Sequence, residues 1–184
     1  MPGGGFSRRA FVKGSLLGAA ALLGRLALPE RVLATLPPAE LSLYNTHVGE
    51  RLRVTYRDRS GHYDPDALAA VDRILRCHYT GQVARIDVRV IEFLNLVDKT
   101  LGGDHEIEVV SGFRSRAYNE WLRRHGHGVA KASLHLVGQA IDVRLAGVEL
   151  DTLRRTALRL EAGGVGYYPR SGFVHLDSGR VRTW

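Results

Sequence analysis

The chain has 184 residues, 45% of them apolar and 24% charged, with a formal net charge of +7. This is enough for one ordinary domain with a real core, and it excludes long disorder and internal repeats. Residues 1–34 hold Arg8, Arg9, Lys13, Arg25 and Arg31 against Glu30, so the remainder carries only +3, too little to argue for nucleic acid.

The N-terminus reads as an export signal. Ser7, Arg8, Arg9, Ala10, Phe11, Val12 and Lys13 form a twin-arginine pattern. An apolar stretch from Gly14 to Leu28 follows, and small residues allow cleavage after Ala34. The alternative is an uncleaved anchor. However, the stretch is short for a span of roughly 20 apolar residues, and Arg25 interrupts it. The expected organisation is a signal peptide over 1–34, a linker over 35–43 around Pro37 and Pro38, and one domain over 44–184. The implied partner is the twin-arginine translocase, and the implied place is the periplasm or cell envelope, with no stable membrane span after cleavage.

Along the domain, Leu52 to Tyr56 alternates as a first strand. Asp64 caps a helix that has Pro65 at its first position and Leu68, Val71, Ile74 and Leu75 as its apolar stripe. A second helix runs from about Asp87, buries Val90, Ile91, Leu94, Val97 and Leu101, and stops at Gly102 and Gly103. Glu106 to Val110 reads as a strand. Ser115 caps a helix through Tyr118, Trp121 and Leu122. Residues 125–132 form a glycine-containing loop, in which His125 and His127 are expected to be exposed. Gln139 to Leu145 alternates, with Ile141, Val143 and Leu145 on the core face and Ala140, Asp142 and Arg144 on the other. Glu149 to Leu160 is an amphipathic helix. Short strands follow from Val165 to Val181, joined by a turn at Pro169 to Gly172. Strands and helices do not alternate as βαβ units. The expected fold class is therefore α+β, a small single domain with a mainly antiparallel sheet flanked by helices.

Cys77 is the only cysteine, so no internal disulfide forms. It falls in a helical pattern and is expected to be inert, because no local base activates it. The glycines at 163, 164 and 166 do not follow a strand into a phosphate-binding helix. The chemistry lies elsewhere. His135 and Asp142 stand seven residues apart with Gly138 between them, and His175 follows in the tail. Two histidines and one carboxylate suit a catalytic zinc with its fourth position left for water. Phe173, His175 and Asp177 share one strand face, so two neighbouring strands can aim His135, Asp142 and His175 at one point.

Ser133, His135, Gly138, Ala140 and Asp142 match the S-x-H-x-x-G-x-A-x-D signature of the M15 zinc D-Ala-D-Ala peptidases and their hedgehog-like relatives. Ser111 to Ser115 resembles that group's S-G-[FY]-R-S segment. The tail from Gly163 to Asp177 is similar to a cell-wall branch long called a domain of unknown function, DUF882, whose studied members resemble murein endopeptidases. This resemblance implies one zinc ion per chain, bound by His135, Asp142 and His175. It also implies a murein endopeptidase acting on peptidoglycan stem peptides or cross-bridges. Arg114 resembles the group's substrate-anchoring arginine, able to hold a carboxylate or an oxyanion. Ser133 resembles a contact to the substrate carboxylate, and Tyr168 is a candidate for the peptide cleft. The match departs from the group at one position. The acid expected three residues before the last histidine is replaced by Gly172. Asp177 is then the candidate base, or else it orients His175 from behind. Glu106, Glu108 and Asp104 are remoter candidates. Without the acid, a non-catalytic zinc module that binds cell wall or a partner is the alternative.

Overall fold

A computed structural model describes residues 39–126 and 128–184. Among these, seven strands form one mixed sheet in the order β2-β1-β3-β4-β6-β5-β7. They are β1 (Ala39–Asn45), β2 (Glu50–Arg57), β3 (Glu106–Ser111), β4 (Ala140–Leu145), β5 (Gly164–Tyr168), β6 (Phe173–Asp177) and β7 (Arg182–Thr183). The β1/β3 and β5/β7 pairs are parallel and the others antiparallel. Four α-helices of the described residues accompany them: α1 (Pro65–Ile74), α2 (Val88–Thr100), α3 (Arg116–Arg124) and α4 (Leu150–Leu160). This is the α+β class expected from the strand and helix order.

The caps explain where three helices start. The Asp64 carboxylate accepts from the backbone N–H groups of Asp66 and Ala67, Asp87 accepts from Arg89, and Ser115 accepts from Tyr118. Each satisfies donors that a helix leaves unpaired in its first turn. Pro65 has no N–H to lose there. Helices α2 and α4 pack on each other and on one face of the sheet. Between them and the strands lies the core, with Val90, Leu94, Val97 and Leu153 set against Leu43, Ile107, Ile141, Val143, Val174 and Leu176. Strand alternation then sends the intervening residues of β4 and β6 to the opposite face. No helix among the described residues is long and apolar enough to cross a membrane.

Three expectations change. Ala39 to Leu43 is not linker, because these residues belong to β1, which is paired on both sides with β2 and β3. The strand at Leu52 is therefore the second. Cys77 is not helical, since α1 ends at Ile74 and the cysteine sits buried in the turn that follows. The expected export signal and cleavage site, and His127, lie outside the described residues.

Candidate functional site

The register of the sheet assembles the site. Asp142 of β4 pairs directly with His175 of β6, and His175 pairs with Gly166 of β5. A bulge in β3 brings Ser111 opposite Asp142. His135 lies on a short 3-10 turn, Leu134–Val137, that ends at Gly138 in the left-handed conformation (φ 69°). Only glycine fits here, because a Cβ at this position would also strike the carbonyl of Arg85.

Three acceptor atoms converge. Asp142 Oδ1 lies 3.2 Å from His135 Nε2 and 2.7 Å from His175 Nδ1, and the two ring nitrogens are 3.2 Å apart. All three residues are buried, and their candidate ligand atoms lie within 4.8 Å of one another. The far nitrogens decide the tautomers. His135 Nδ1 donates to the Gly112 carbonyl at 2.7 Å. His175 Nε2 donates to Asp177 Oδ2 at 3.2 Å. Each neutral ring then turns a lone pair toward Asp142. Three lone pairs facing one another need a positive charge between them, either a proton or a metal cation. The donor set, two imidazoles and a carboxylate, therefore fits a metal ion.

The electrostatics agree with this. Burial pushes the His135 imidazole down, keeping it neutral and ligating. Burial acts on His175 in the same direction, but Asp142 and Asp177 outweigh it and raise its affinity for a positive charge. Burial would raise the Asp142 carboxyl. The two histidines override it and hold the group well below the usual carboxylate range.

Arg114 flanks this cluster. Its Nη2 donates to Asp142 Oδ2 at 3.4 Å and to Ser111 Oγ at 3.3 Å, and Nη1 reaches Asn119 Oδ1 at 3.5 Å. These contacts are long, and the buried Nε has no hydrogen-bond partner in the protein. Ser133 precedes the 3-10 turn without using its hydroxyl as a cap. Tyr168 stands at the end of β5, stacked on Phe173, and its hydroxyl accepts from Trp184 Nε1 at 2.7 Å. Arg114, Ser133, Tyr168 and the His–Asp–His cluster all line one open cleft of about 840 Å³.

Asp177 is different. It shares the strand face of His175, as its spacing predicts, yet it is fully buried and does not line the cleft. It touches the ring nitrogen that faces away from the cluster. Arg182 donates to it at 2.7 and 2.9 Å, and the Gly179 N–H at 2.8 Å. Burial would raise this carboxyl, but His175, Arg182 and Gly179 outweigh it and hold it well below the usual range. Among the described residues Asp142 is the only carboxylate lining the cleft. Glu106 pairs with Arg51, Glu108 pairs with Arg144, and Asp104 is exposed. Gly172 sits in the turn with φ 72°.

Several lining residues escape the sequence reading. His47 and His78, stacked at 3.7 Å, line the cleft, and so does Trp184. Trp184 packs where a Cβ on Gly166 would lie within 2.8 Å of its ring. No local pattern announces these residues, because each reaches the cleft from a distant segment. Tyr118 and Trp121, three apart on α3, are readable as helical neighbours but not as cleft wall.

A His–Asp–His cluster that could hold a metal ion and lines an open cleft on an α+β sheet suits a metal-dependent hydrolase. Comparison with known proteins narrows this. The model of the M15 peptidase family described as peptidoglycan L,D-endopeptidase MepK matches residues 33–184. The chain belongs to that family. It is 39% identical over 165 residues to the peptidoglycan L,D-endopeptidase MepK of Escherichia coli K12, covering 88% of this chain and 90% of the relative. The probable peptidoglycan L,D-endopeptidase MepK of Haemophilus influenzae is 42% identical over 166 residues, covering 88% and 89%.

Proposed function

We propose that the protein is a zinc-dependent murein endopeptidase that cleaves L,D-configured amide bonds in peptidoglycan peptides. The observation that carries this reading is the convergence of His135 Nε2, Asp142 Oδ1 and His175 Nδ1 at the floor of the cleft. The bond type follows the relatives named as L,D-endopeptidases. Zinc held there would supply a Lewis acid and a water of lowered pKa.

The chain's own groups do the rest. Arg114 offers its loosely held Nη groups to a substrate carboxylate or to the developing oxyanion. Ser133 and Tyr168, which line the cleft, contact the peptide. Asp177 fixes the His175 ring by accepting from Nε2, which keeps Nδ1 directed at the cluster. This favours the orienting role for Asp177 over the base role. Among the described residues the cleft carries two further imidazoles, His47 and His78. Burial, with His47 and Arg114 nearby, pushes His78 down to about 4 and keeps it neutral.

Digestion of purified cross-linked peptidoglycan, with and without chelator, tests the function. New muropeptides should form, stop with chelator and return with added zinc. A protein that binds murein yet cuts none would make the non-catalytic reading correct. For Asp177→Asn, metal affinity should fall roughly 10–100-fold, with cleavage restored by excess zinc. Turnover still depressed by about 10²–10⁴-fold at saturating zinc would return Asp177 to the role of base.

An enzyme of this kind works in the cell envelope, and the pattern at Ser7 to Lys13 supports delivery by the twin-arginine translocase to the periplasm, followed by cleavage after Ala34. Arg8→Lys combined with Arg9→Lys should leave the precursor in the cytoplasm. An unchanged periplasmic yield would mean another route.

A further inference from the structure

The cleft wall formed by α3 carries aromatic rings that the metal chemistry does not use. Tyr118 and Trp121 have ring centres 6.1 Å apart and planes within 21°. Tyr79, from the turn after α1, stacks on Tyr118 at 4.9 Å and is tilted by 30° to Trp121 at 5.9 Å, while His125 stacks on Trp121 at 4.2 Å. Three rings at such similar separations do not make a single pile, in which the outer two would lie about twice as far apart as neighbours. They form an offset platform. Tyr118 and Trp121 line the cleft, whereas Tyr79 stands outside it and is 54% exposed. The platform thus leads from the cleft to the outer surface.

The platform is also preorganised. The turn bearing Tyr79 is closed by Cys77 N–H to the Gln82 carbonyl at 3.0 Å and by Gly81 N–H to the Cys77 carbonyl at 2.8 Å. The buried Cys77 thiol donates to Ser115 Oγ at 3.4 Å, and Ser115 Oγ accepts from the Tyr118 N–H at 3.2 Å. The lone cysteine therefore ties the Tyr79 turn to the start of α3. Thr80 and Gln82, exposed on the same turn, add a hydroxyl and an amide beside the rings.

An ordered aromatic cluster that presents the exposed ring of Tyr79, edged by polar groups, matches a pyranose. The ring's C–H face packs on aromatic carbon while its hydroxyls bond at the edge. An extended peptide would instead seek an unpaired strand edge and side-chain pockets. The substrate's own construction points the same way. Stem peptides hang from a glycan strand, so a cleft that takes the peptide must meet the sugars where it opens. We propose that the Tyr79–Tyr118–Trp121 platform is a saccharide subsite that holds the glycan strand while the attached peptide enters the cleft. This rests on the murein endopeptidase reading for the identity of the sugar.

Two probes test it: peptide-free glycan strands, prepared by stripping stems from murein with an amidase, and glycan-free cross-linked peptides. The wild-type protein should bind the glycan strands in calorimetry. Tyr79→Ala should weaken that binding about tenfold, and Tyr79→Trp should keep it. On intact murein Tyr79→Ala should raise KM with kcat unchanged, and on glycan-free peptides it should cut as wild type does. Failure of the wild type to bind glycan, or equal binding by Tyr79→Ala, would overturn the proposal. So would an equal loss on glycan-free peptides, which would make the platform a peptide subsite. Glycan binding by a protein that cuts nothing would support the subsite and defeat the endopeptidase reading alone.

Discussion

Replacing His135 with alanine should remove both the bound metal and muropeptide cleavage. The ring supplies one of three converging acceptors, and its Nδ1 is already committed to the Gly112 carbonyl. Asp177, which shares the strand face of His175, cannot replace it, because Arg182 and Gly179 hold it behind His175. Activity should fall by at least about 10³-fold, the scale of losing a centre that stabilises transition-state charge. Elemental analysis after dialysis should show near-stoichiometric zinc in the wild type and little in the variant. Circular dichroism would confirm that the fold persists. Zinc retained alike in His135→Ala, Asp142→Ala and His175→Ala would remove the site assignment.

Arg114→Lys should retain metal yet lose roughly 10²–10³-fold in kcat/KM. The Arg114 side chain is 8% exposed, and the three polar contacts of its guanidinium are all 3.3 Å or longer. It is therefore held in place without being saturated. Lysine keeps the charge but not the planar fork that meets a carboxylate by two bonds. If the Asp142 contact were instead a structural ion pair, the variant would melt earlier and its kcat/KM would stay near wild type. Steady-state kinetics on a soluble muropeptide, alongside a thermal melt, separates the two outcomes.

Much of this arrangement is legible in the amino-acid sequence. Asp64, Asp87 and Ser115 are short polar residues immediately before apolar helical patterns, and each does cap a helix. The alternation in β4 puts Asp142 opposite Ile141 and Val143, because pleating allows no other choice. Strand β1 escapes that reading, although Ala39, Leu41, Leu43 and Asn45 alternate as buried positions. Pro37 and Pro38 pull the stretch toward a linker, and two-sided pairing with β2 and β3 overrides them. Asp177 shows a different limit. Strand periodicity predicts that it shares a face with His175. It does not report which way the imidazole turns, and that rotation puts one nitrogen on the cluster and the other on Asp177. Contributions such as His47 and Trp184 depend on chain ends and turns meeting across the sheet, for which a linear pattern carries no signal.

The direct pairing of Asp142 with His175 links the chemistry to strand alignment. A shift of one residue between β4 and β6 would turn Asp142 toward the apolar layer now held by Val143 and Val174. A shift of two would keep both side chains on the right face but separate them along the strands by roughly 7 Å, beyond shared coordination. One alignment alone lets a cation satisfy all three acceptors. The ion would thus act as a proofreader of assembly, adding its binding free energy to the correctly registered sheet and to no misaligned competitor. With Cys77 as its only cysteine, the chain has no internal disulfide to lock its strands. With an ion bound in this site, it would have instead a chemical means of selecting the right alignment.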